Sequence, residues 1–179
     1  MVKNIVITGF MGTGKTTVGR IVADLMGRPF FDVDKIISQR DSRNISEIFA
    51  ESGEEYFRKL ESLVIDDLSL LEDAVIAVGG GTFISDDNRL KMAENGMIFC
   101  LTAEPVIIAT RLENKNDRPL LNVSRKLEHI SELMSARKPV YDKSSYTIDT
   151  SGLTPAEIAG EIERIFMENE IAHEDLHEY

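Results

Sequence analysis

The stretch Gly9-Phe10-Met11-Gly12-Thr13-Gly14-Lys15-Thr16 fits the pattern GxxxxGK[ST] at every fixed position. Each part of that pattern has a physical task. The glycines let the backbone curl closely enough around an anion for several N–H groups to point at it. The helix expected next adds its positive N-terminal end. Lys15 can reach the β- and γ-phosphates of a nucleotide, and Thr16 can offer a hydroxyl to Mg²⁺. The flanks agree with this reading. Asn4 to Thr8 reads as a buried strand, and after the loop Val18, Ile21, Val22, Leu25 and Met26 fall on one helical face. Gly27 and Pro29 then stop that helix.

Outward from the loop, strand and helix patterns alternate. Phe30 to Val33 is expected as a second strand, and Phe57, Leu60, Val64, Leu68 and Leu71 mark a long helix. Ala74 to Val78 reads as a third strand, ending in Gly79-Gly80-Gly81. Ser85 is expected to cap a helix that Gly96 terminates, and Met97 to Leu101 to form a fourth strand. Leu127, Ile130, Leu133 and Met134 mark another helix, and Tyr146 to Ile148 a short fifth strand. Thr154, Pro155 and Glu157 open the last helix with a capping box. This alternation predicts an α/β fold: three α/β/α layers around a central, mostly five-stranded parallel sheet. One domain over 1–179 is expected, with a core of 1–34, 72–110 and 138–168. Helices over 35–71 are expected to bind substrate, a polar loop over 112–124 to act as a lid, and 167–179 to form a frayed or exposed acidic tail.

Composition narrows the partners. The chain of 179 residues carries 20 Lys plus Arg against 31 Asp plus Glu, a formal net charge of −11. That balance disfavours nucleic acid and anionic membranes as partners. An anionic small molecule would need a locally basic pocket. The apolar run Ile5 to Ile7 is too short for a signal-peptide core, and no apolar stretch approaches the length of a membrane span. The single cysteine, Cys100, lies in an apolar run and reads as a core residue. These features point to a cytoplasmic protein.

Five further sets of residues carry chemistry. If Asp32 and Asp34 close the second strand, both side chains share one face near the phosphate loop. One can hold Mg²⁺ through water while the other handles a substrate hydroxyl; two solvated turn residues are the alternative. Arg58 and Glu61 fall at i, i+3 on a helix, a spacing that an ordinary surface ion pair also explains. Three successive glycines at 79–81 imply close approach of a ligand or another backbone. In the polar loop, Arg118 can neutralise charge on a transferring phosphoryl group. Arg137, before Pro139, is either a helix-end cation or a ligand clamp.

Together these motifs resemble the shikimate kinase family, P-loop kinases related to the nucleoside monophosphate kinases. The resemblance runs from about Asn4 to Phe166. It rests on Gly9 to Thr16, Asp32-Val33-Asp34, Gly53-Glu54-Glu55-Tyr56-Phe57-Arg58 with Glu61, Gly79-Gly80-Gly81, Arg118-Pro119-Leu120-Leu121 and Arg137-Lys138-Pro139-Val140-Tyr141. It implies ATP-dependent phosphorylation of shikimate at its 3-hydroxyl, with one Mg²⁺ per subunit, by a monomer. By the same resemblance Asp34, Arg58, Gly80 and Arg137 would bind shikimate, with Gly79 and Gly81 beside them. Phe49 and Phe57 would line the pocket, and Glu61 would orient Arg58. Asp34, Lys15 and Arg118 would be catalytic. Gly12, Thr13, Gly14, Lys15, Thr16 and Thr17 would hold ATP phosphates, and Asp32 would hold Mg²⁺ through water beside Thr16. Arg111 would stack on adenine, the loop near Asp149 to Leu153 would pass its edge, and Arg118 would close onto ATP.

Other motifs are weaker. His173-Glu174-Asp175-Leu176-His177 matches HExxH, but in this sequence only Glu178 and Tyr179 follow it, too few for a downstream third zinc ligand. Asn114-Lys115-Asn116-Asp117 matches the guanine-reading NKxD, but lies in a polar loop instead of ending a strand. A kinase for a sugar acid or a nucleoside monophosphate would share the loop without the set Asp34, Arg58, Gly79–Gly81 and Arg137. A non-catalytic nucleotide-binding module would be expected to lack Lys15, Asp34 or Arg118, and all three are present.

Overall fold

The computed structural model describes residues 3–112 and 126–174. Five strands form one parallel sheet: β1 (Asn4–Gly9), β2 (Phe30–Asp32), β3 (Val75–Ala77), β4 (Gly96–Thr102) and β5 (Tyr146–Asp149), in the spatial order β2-β3-β1-β4-β5. The helices are α1 (Lys15–Met26), α2 (Val33–Asp41), α3 (Ile45–Ser69), α4 (Asp86–Glu94), α5 (Pro105–Leu112), α6 (Lys126–Tyr141) and α7 (Pro155–Glu174), with a 3-10 turn at Thr82–Ile84.

β1 is buried along its whole length, as a central parallel strand must be when helices cover both faces. Its side chains divide by alternation. Ile5 and Ile7 pack with Val18 and Val22 of α1 and Ile158, Ile162 and Phe166 of α7. Val6 packs on the opposite face with Val33 and Ile37 of α2 and Val64 and Ile65 of α3. A third cluster, around Phe10, Met11, Cys100, Ile108, Leu112, Ile130 and Tyr141, seats α5 and α6 beside the loop that follows β1. Because all strands are parallel, the segments after β1, β2, β3, β4 and β5 emerge along one edge of the sheet.

The structure corrects four expectations and supplies the start of the long helix, which the sequence left open. The second strand ends at Asp32, and Val33 already opens α2. Asp32 caps this helix by accepting from the Lys35 N–H at 3.1 Å. Asp34 therefore projects from a first helical turn, and strand alternation does not relate it to Asp32. The long helix begins at Ile45, with Asn44 and Glu47 forming a capping box, and Gly53 interrupts it at φ 79°. Gly96 does not end α4; it opens β4, where a Cβ would stand 2.6 Å from the Met92 carbonyl oxygen and 2.8 Å from a Val6 methyl. Pro139 does not end α6, which runs on to Tyr141 because its last turn is anchored from outside by that residue's hydroxyl on the Gly80 carbonyl. Met167 to Glu174 continue α7 instead of fraying, with Met167, Glu168 and Ile171 exposed as the alternative expectation had it. Arg164 pairs with Glu168 at 2.7 Å and Tyr146 donates to Asn169 at 3.0 Å, which hold the added turns. Residues 175–179 lie outside the described residues.

Candidate functional site

The loop after β1 has the backbone that its glycines predict. Gly9, Gly12 and Gly14 all take positive φ, and a Cβ on Gly9 would lie 2.2 Å from the Leu101 carbonyl oxygen. Thr13 fixes the turn by donating its hydroxyl to the Phe10 carbonyl at 2.8 Å. α1 then begins at Lys15, directly behind the loop. Lys15 Nζ donates to the Gly9 and Phe10 carbonyls at 2.9 and 3.0 Å, which holds the ammonium against the loop's first turn. Thr17 is exposed two residues further on. Arg111, at the end of α5, donates to Gly12 O at 3.4 Å and to Thr150 Oγ1 and O at 3.0 Å. Its guanidinium thus links the phosphate loop to the segment after β5.

Asp32 and Thr16 meet although sixteen positions separate them: Thr16 Oγ1 donates to Asp32 Oδ2 at 2.7 Å. A hydroxyl and a carboxylate, both hard oxygen donors, suit Mg²⁺, which takes few protein ligands and completes its shell with water and phosphate oxygens. Among the described residues there is no cluster of three or more Asp, Glu, His or Cys able to hold a metal by itself. The donor set fits Mg²⁺ arriving with a nucleotide.

The three glycines after β3 are the hub of the second half of the site. A Cβ on Gly79 would stand 3.2 Å from Asp34 Oδ1 and 3.0 Å from Glu61 Oε1. One on Gly80 would stand 3.0 Å from Gly9 O and 3.5 Å from Arg137 Nη1. One on Gly81 would stand 2.6 Å from Arg58 Nη2. The glycine run thus brings Asp34 from α2, Arg58 and Glu61 from α3 and Arg137 from α6 beside the phosphate loop, from positions more than a hundred residues apart. Phe49 and Phe57 pack with their rings tilted by 37° and their centroids 4.8 Å apart, and the Arg58 guanidinium lies 5.2 Å from the Phe57 ring centre.

Arg58 and Glu61 are more than a surface pair. Glu61 is fully buried, and its Oε2 accepts from Arg58 Nη1 at 2.7 Å. Its Oε1 accepts from the Thr82 hydroxyl at 2.5 Å. Burial pushes the Glu61 carboxyl above the usual range, against the pull of Arg58 and Thr82. Arg58 also meets Glu54, at 3.1 Å. Arg137 donates to the Gly80 carbonyl at 3.4 Å and lies 5.3 Å from the Phe10 ring centre, so it is not merely capping its own helix.

Sequence reasoning assigned no contact to three contributors, although Tyr141 lies in the motif Arg137 to Tyr141 and Thr150 in the loop expected at the adenine edge. Thr82 closes on Glu61, Tyr141 Oη donates to Gly80 O at 2.6 Å, and Thr150 holds Arg111. Only Tyr141 left a local signal: it lies four residues after Arg137, on the same helical face. Arg118, the lid 112–124 beyond Leu112 and the NKxD match lie outside the described residues, as do the last residues of the HExxH match.

A strand, a glycine-rich phosphate loop and a helix, set at the carboxyl edge of a five-stranded parallel sheet, define the three-layer P-loop class related to the nucleoside monophosphate kinases. A family model described as shikimate kinase matches residues 11–166. The shikimate kinase of Thermodesulfovibrio yellowstonii is 46% identical over 160 residues, covering 89% of this chain and 92% of its own. That of Caldanaerobacter subterraneus subsp. tengcongensis is 44% identical over 165 residues, covering 92% and 96%. The shikimate kinase of Acinetobacter baumannii, solved in complex with shikimate, superposes with a TM-score of 0.90 at 33% identity over 94% of this chain and 95% of its own. A gluconokinase from Sinorhizobium meliloti shares the fold, with a TM-score of 0.58 at 18% identity over 95% and 97%. The chain belongs to the shikimate kinase family.

Proposed function

We propose that this enzyme transfers the γ-phosphoryl group of ATP to the 3-hydroxyl of shikimate, giving shikimate 3-phosphate and ADP. The observation that carries the reading is the glycine run 79–81, which sets Asp34, Arg58 and Arg137 against the phosphate loop. Two guanidiniums suit a carboxylate, since each can bind it through paired N–H donors. They also reconcile an acidic chain with an anionic acceptor, because the positive charge is concentrated where the acid sits.

Phosphoryl transfer demands alignment and charge neutralisation more than covalent chemistry. Arg58 and Arg137 hold the acceptor by its carboxylate, with Phe49 and Phe57 against its ring and Glu61 keeping Arg58 in place. Asp34 accepts a hydrogen bond from the attacking hydroxyl and takes its proton. The loop N–H groups of Gly12 to Thr17 orient the phosphates, and Lys15 turns from the loop carbonyls to the β- and γ-oxygens. Thr16 and, through water, Asp32 hold Mg²⁺, which when bound neutralises charge on those oxygens. Arg111, fixed at its edges by Gly12 and Thr150, offers its plane to adenine. Arg118 belongs to the lid that shields the transfer from water. In this reading one domain spans the chain, α2 and α3 form its acceptor-binding part, and the enzyme works as a cytoplasmic monomer.

No helix among the described residues is long and apolar enough to cross a membrane. ADP release from Mg-ATP, followed with shikimate, gluconate and nucleoside monophosphates in turn, tests the function. Release with shikimate alone is expected. Release with another acceptor would overturn the roles of Arg58 and Arg137, and ATP binding without release would overturn catalysis.

A further inference from the structure

The Arg58–Glu61 pair has a third member. Thr82 is fully buried at the start of the 3-10 turn, immediately after the glycine run. Its hydroxyl donates to the Glu61 oxygen that Arg58 does not use. Both carboxylate oxygens of Glu61 are therefore engaged from opposite sides. The contact needs the space at residue 79, where a Cβ would stand 3.0 Å from Glu61 Oε1 and 3.1 Å from Thr82 Oγ1. The Thr82 backbone is fixed as well: its N–H donates to Gly79 O at 3.1 Å, and its carbonyl accepts from Asn88 Nδ2 at 3.3 Å. The hydroxyl is thus held on a rigid support, not on a freely rotating surface side chain.

We propose that Thr82 is a positioning residue for the acceptor carboxylate: its hydroxyl fixes Glu61, and Glu61 fixes the Arg58 guanidinium. This deepens the function proposed above and rests on Arg58 holding the acceptor. A buried carboxylate that loses one of its donors is left with an unsatisfied oxygen. It can then rotate away from Arg58, or take up a proton and lose its hold on the guanidinium. The charged groups that bear on Glu61 are Arg58 on its own helix, which favours the ionised form, and Asp34 from α2, which opposes it. Lys91 of α4 is engaged by Asp66 and Asp87, and Arg137 of α6 is turned to Gly80. With Asp34 close and the site buried, the Thr82 hydroxyl is, among the described residues, the one neutral side-chain donor that favours ionised Glu61.

The test is steady-state kinetics of the wild-type chain, Thr82→Val and Thr82→Ser over a range of mildly acidic to mildly alkaline pH. Wild-type turnover of shikimate checks the underlying reading separately; without it, that reading fails and not this one. In Thr82→Val the KM for shikimate is expected to rise about tenfold near neutrality, equivalent to about 1.4 kcal/mol. The rise should grow as pH falls and begin at higher pH than in the wild type. The kcat should stay within about twofold and the KM for ATP should not move, since neither depends on Arg58. Thr82→Ser, which keeps the hydroxyl, should restore the wild-type values and pH profile. An active Thr82→Val enzyme with wild-type KM for shikimate across that range would overturn the proposal, as would equal loss in the Ser variant. Should Thr82→Val fail to fold, Thr82→Ala carries the same kinetic test. Carbon NMR of the wild-type Glu61 carboxyl gives an independent one: it must be ionised at neutral pH, and a protonated Glu61 there would overturn the proposal.

Discussion

The Arg58 guanidinium lies directly against residue 81, with Nη2 2.6 Å and Cζ 3.1 Å from where a Gly81 Cβ would stand. No side chain fits there while Arg58 keeps its present position between Glu54 and Glu61. The obstacle is the far end of a flexible side chain, so Gly81→Ala should displace Arg58 without unfolding the protein. The KM for shikimate is expected to rise while the thermal midpoint changes by only a few degrees. Gly9→Ala offers the contrast, because its Cβ would meet the Leu101 backbone oxygen at 2.2 Å and its φ is 135°. That variant should lose thermal stability first. Calorimetry alongside kinetics separates the two, and equal loss of stability would contradict the assignment.

Asp34→Asn should abolish turnover with ATP binding nearly intact. A positioned base contributes about 10²–10⁴ in rate. The kcat is therefore expected to fall at least about a hundredfold, while titration with a nucleotide analogue gives an unchanged Kd. Normal turnover would remove Asp34 from the role of base.

Arg58→Ala should act on the acceptor. A hydrogen bond to a charged group contributes about 1.5–3 kcal/mol, so the KM for shikimate should rise roughly ten- to a hundredfold. The KM for ATP should stay level. An unchanged shikimate KM with ATP saturating would place the carboxylate elsewhere.

Acid should weaken acceptor binding before it unfolds the protein. Burial raises the Glu61 carboxyl above its ordinary value, more than Arg58 and Thr82 lower it. A folded-state pKa above the unfolded one means that the folded protein holds this proton more tightly. Glu61's contribution to stability is therefore fullest below the unfolded pKa and declines as pH rises through the folded value. Its hold on Arg58 moves the opposite way, being strong only when ionised. Just above the ordinary glutamate range, about pH 4.3, the KM for shikimate should climb while Glu61 itself adds no destabilisation. A KM that stays flat across that window, measured with the thermal midpoint at each pH, would contradict this.

Cys100 should be inert in the folded protein. It is fully buried, and burial pushes its thiol up to about 11, so little thiolate exists near neutrality. Alkylation by iodoacetamide should proceed only at the rate of unfolding, and mass spectrometry with and without denaturant would read it. Rapid labelling of the native chain would place the thiol at the surface.

Much of this molecule was legible in the sequence because local rules sufficed. The loop at Gly9 to Thr16 announced its own backbone, and the buried strands announced themselves as short apolar runs. The capping box at Thr154 and Glu157 likewise followed from residues that meet their neighbours in sequence. Boundaries failed where a tertiary contact outweighed a local signal. Pro139 reads as a stop, yet the Tyr141 hydroxyl holds the helix beyond it. Gly96 reads as a helix terminator, yet it is a glycine because Met92 and Val6 leave no room for a Cβ.

The sequence by itself determined the class of fold, the phosphate loop and the inventory of charged residues that the family uses. Only the tertiary structure decided which of those residues meet. Asp32 and Asp34 look like a strand pair, but a helix cap at Asp32 turns them apart, one toward Thr16 and the other toward Gly79. Arg58 and Glu61 look like a surface pair, but the packing of α3 on the sheet buries Glu61 and adds Thr82 to it. The reason is physical. Backbone conformation follows largely from neighbours in the chain, whereas burial and charge pairing are set by segments that folding alone brings together.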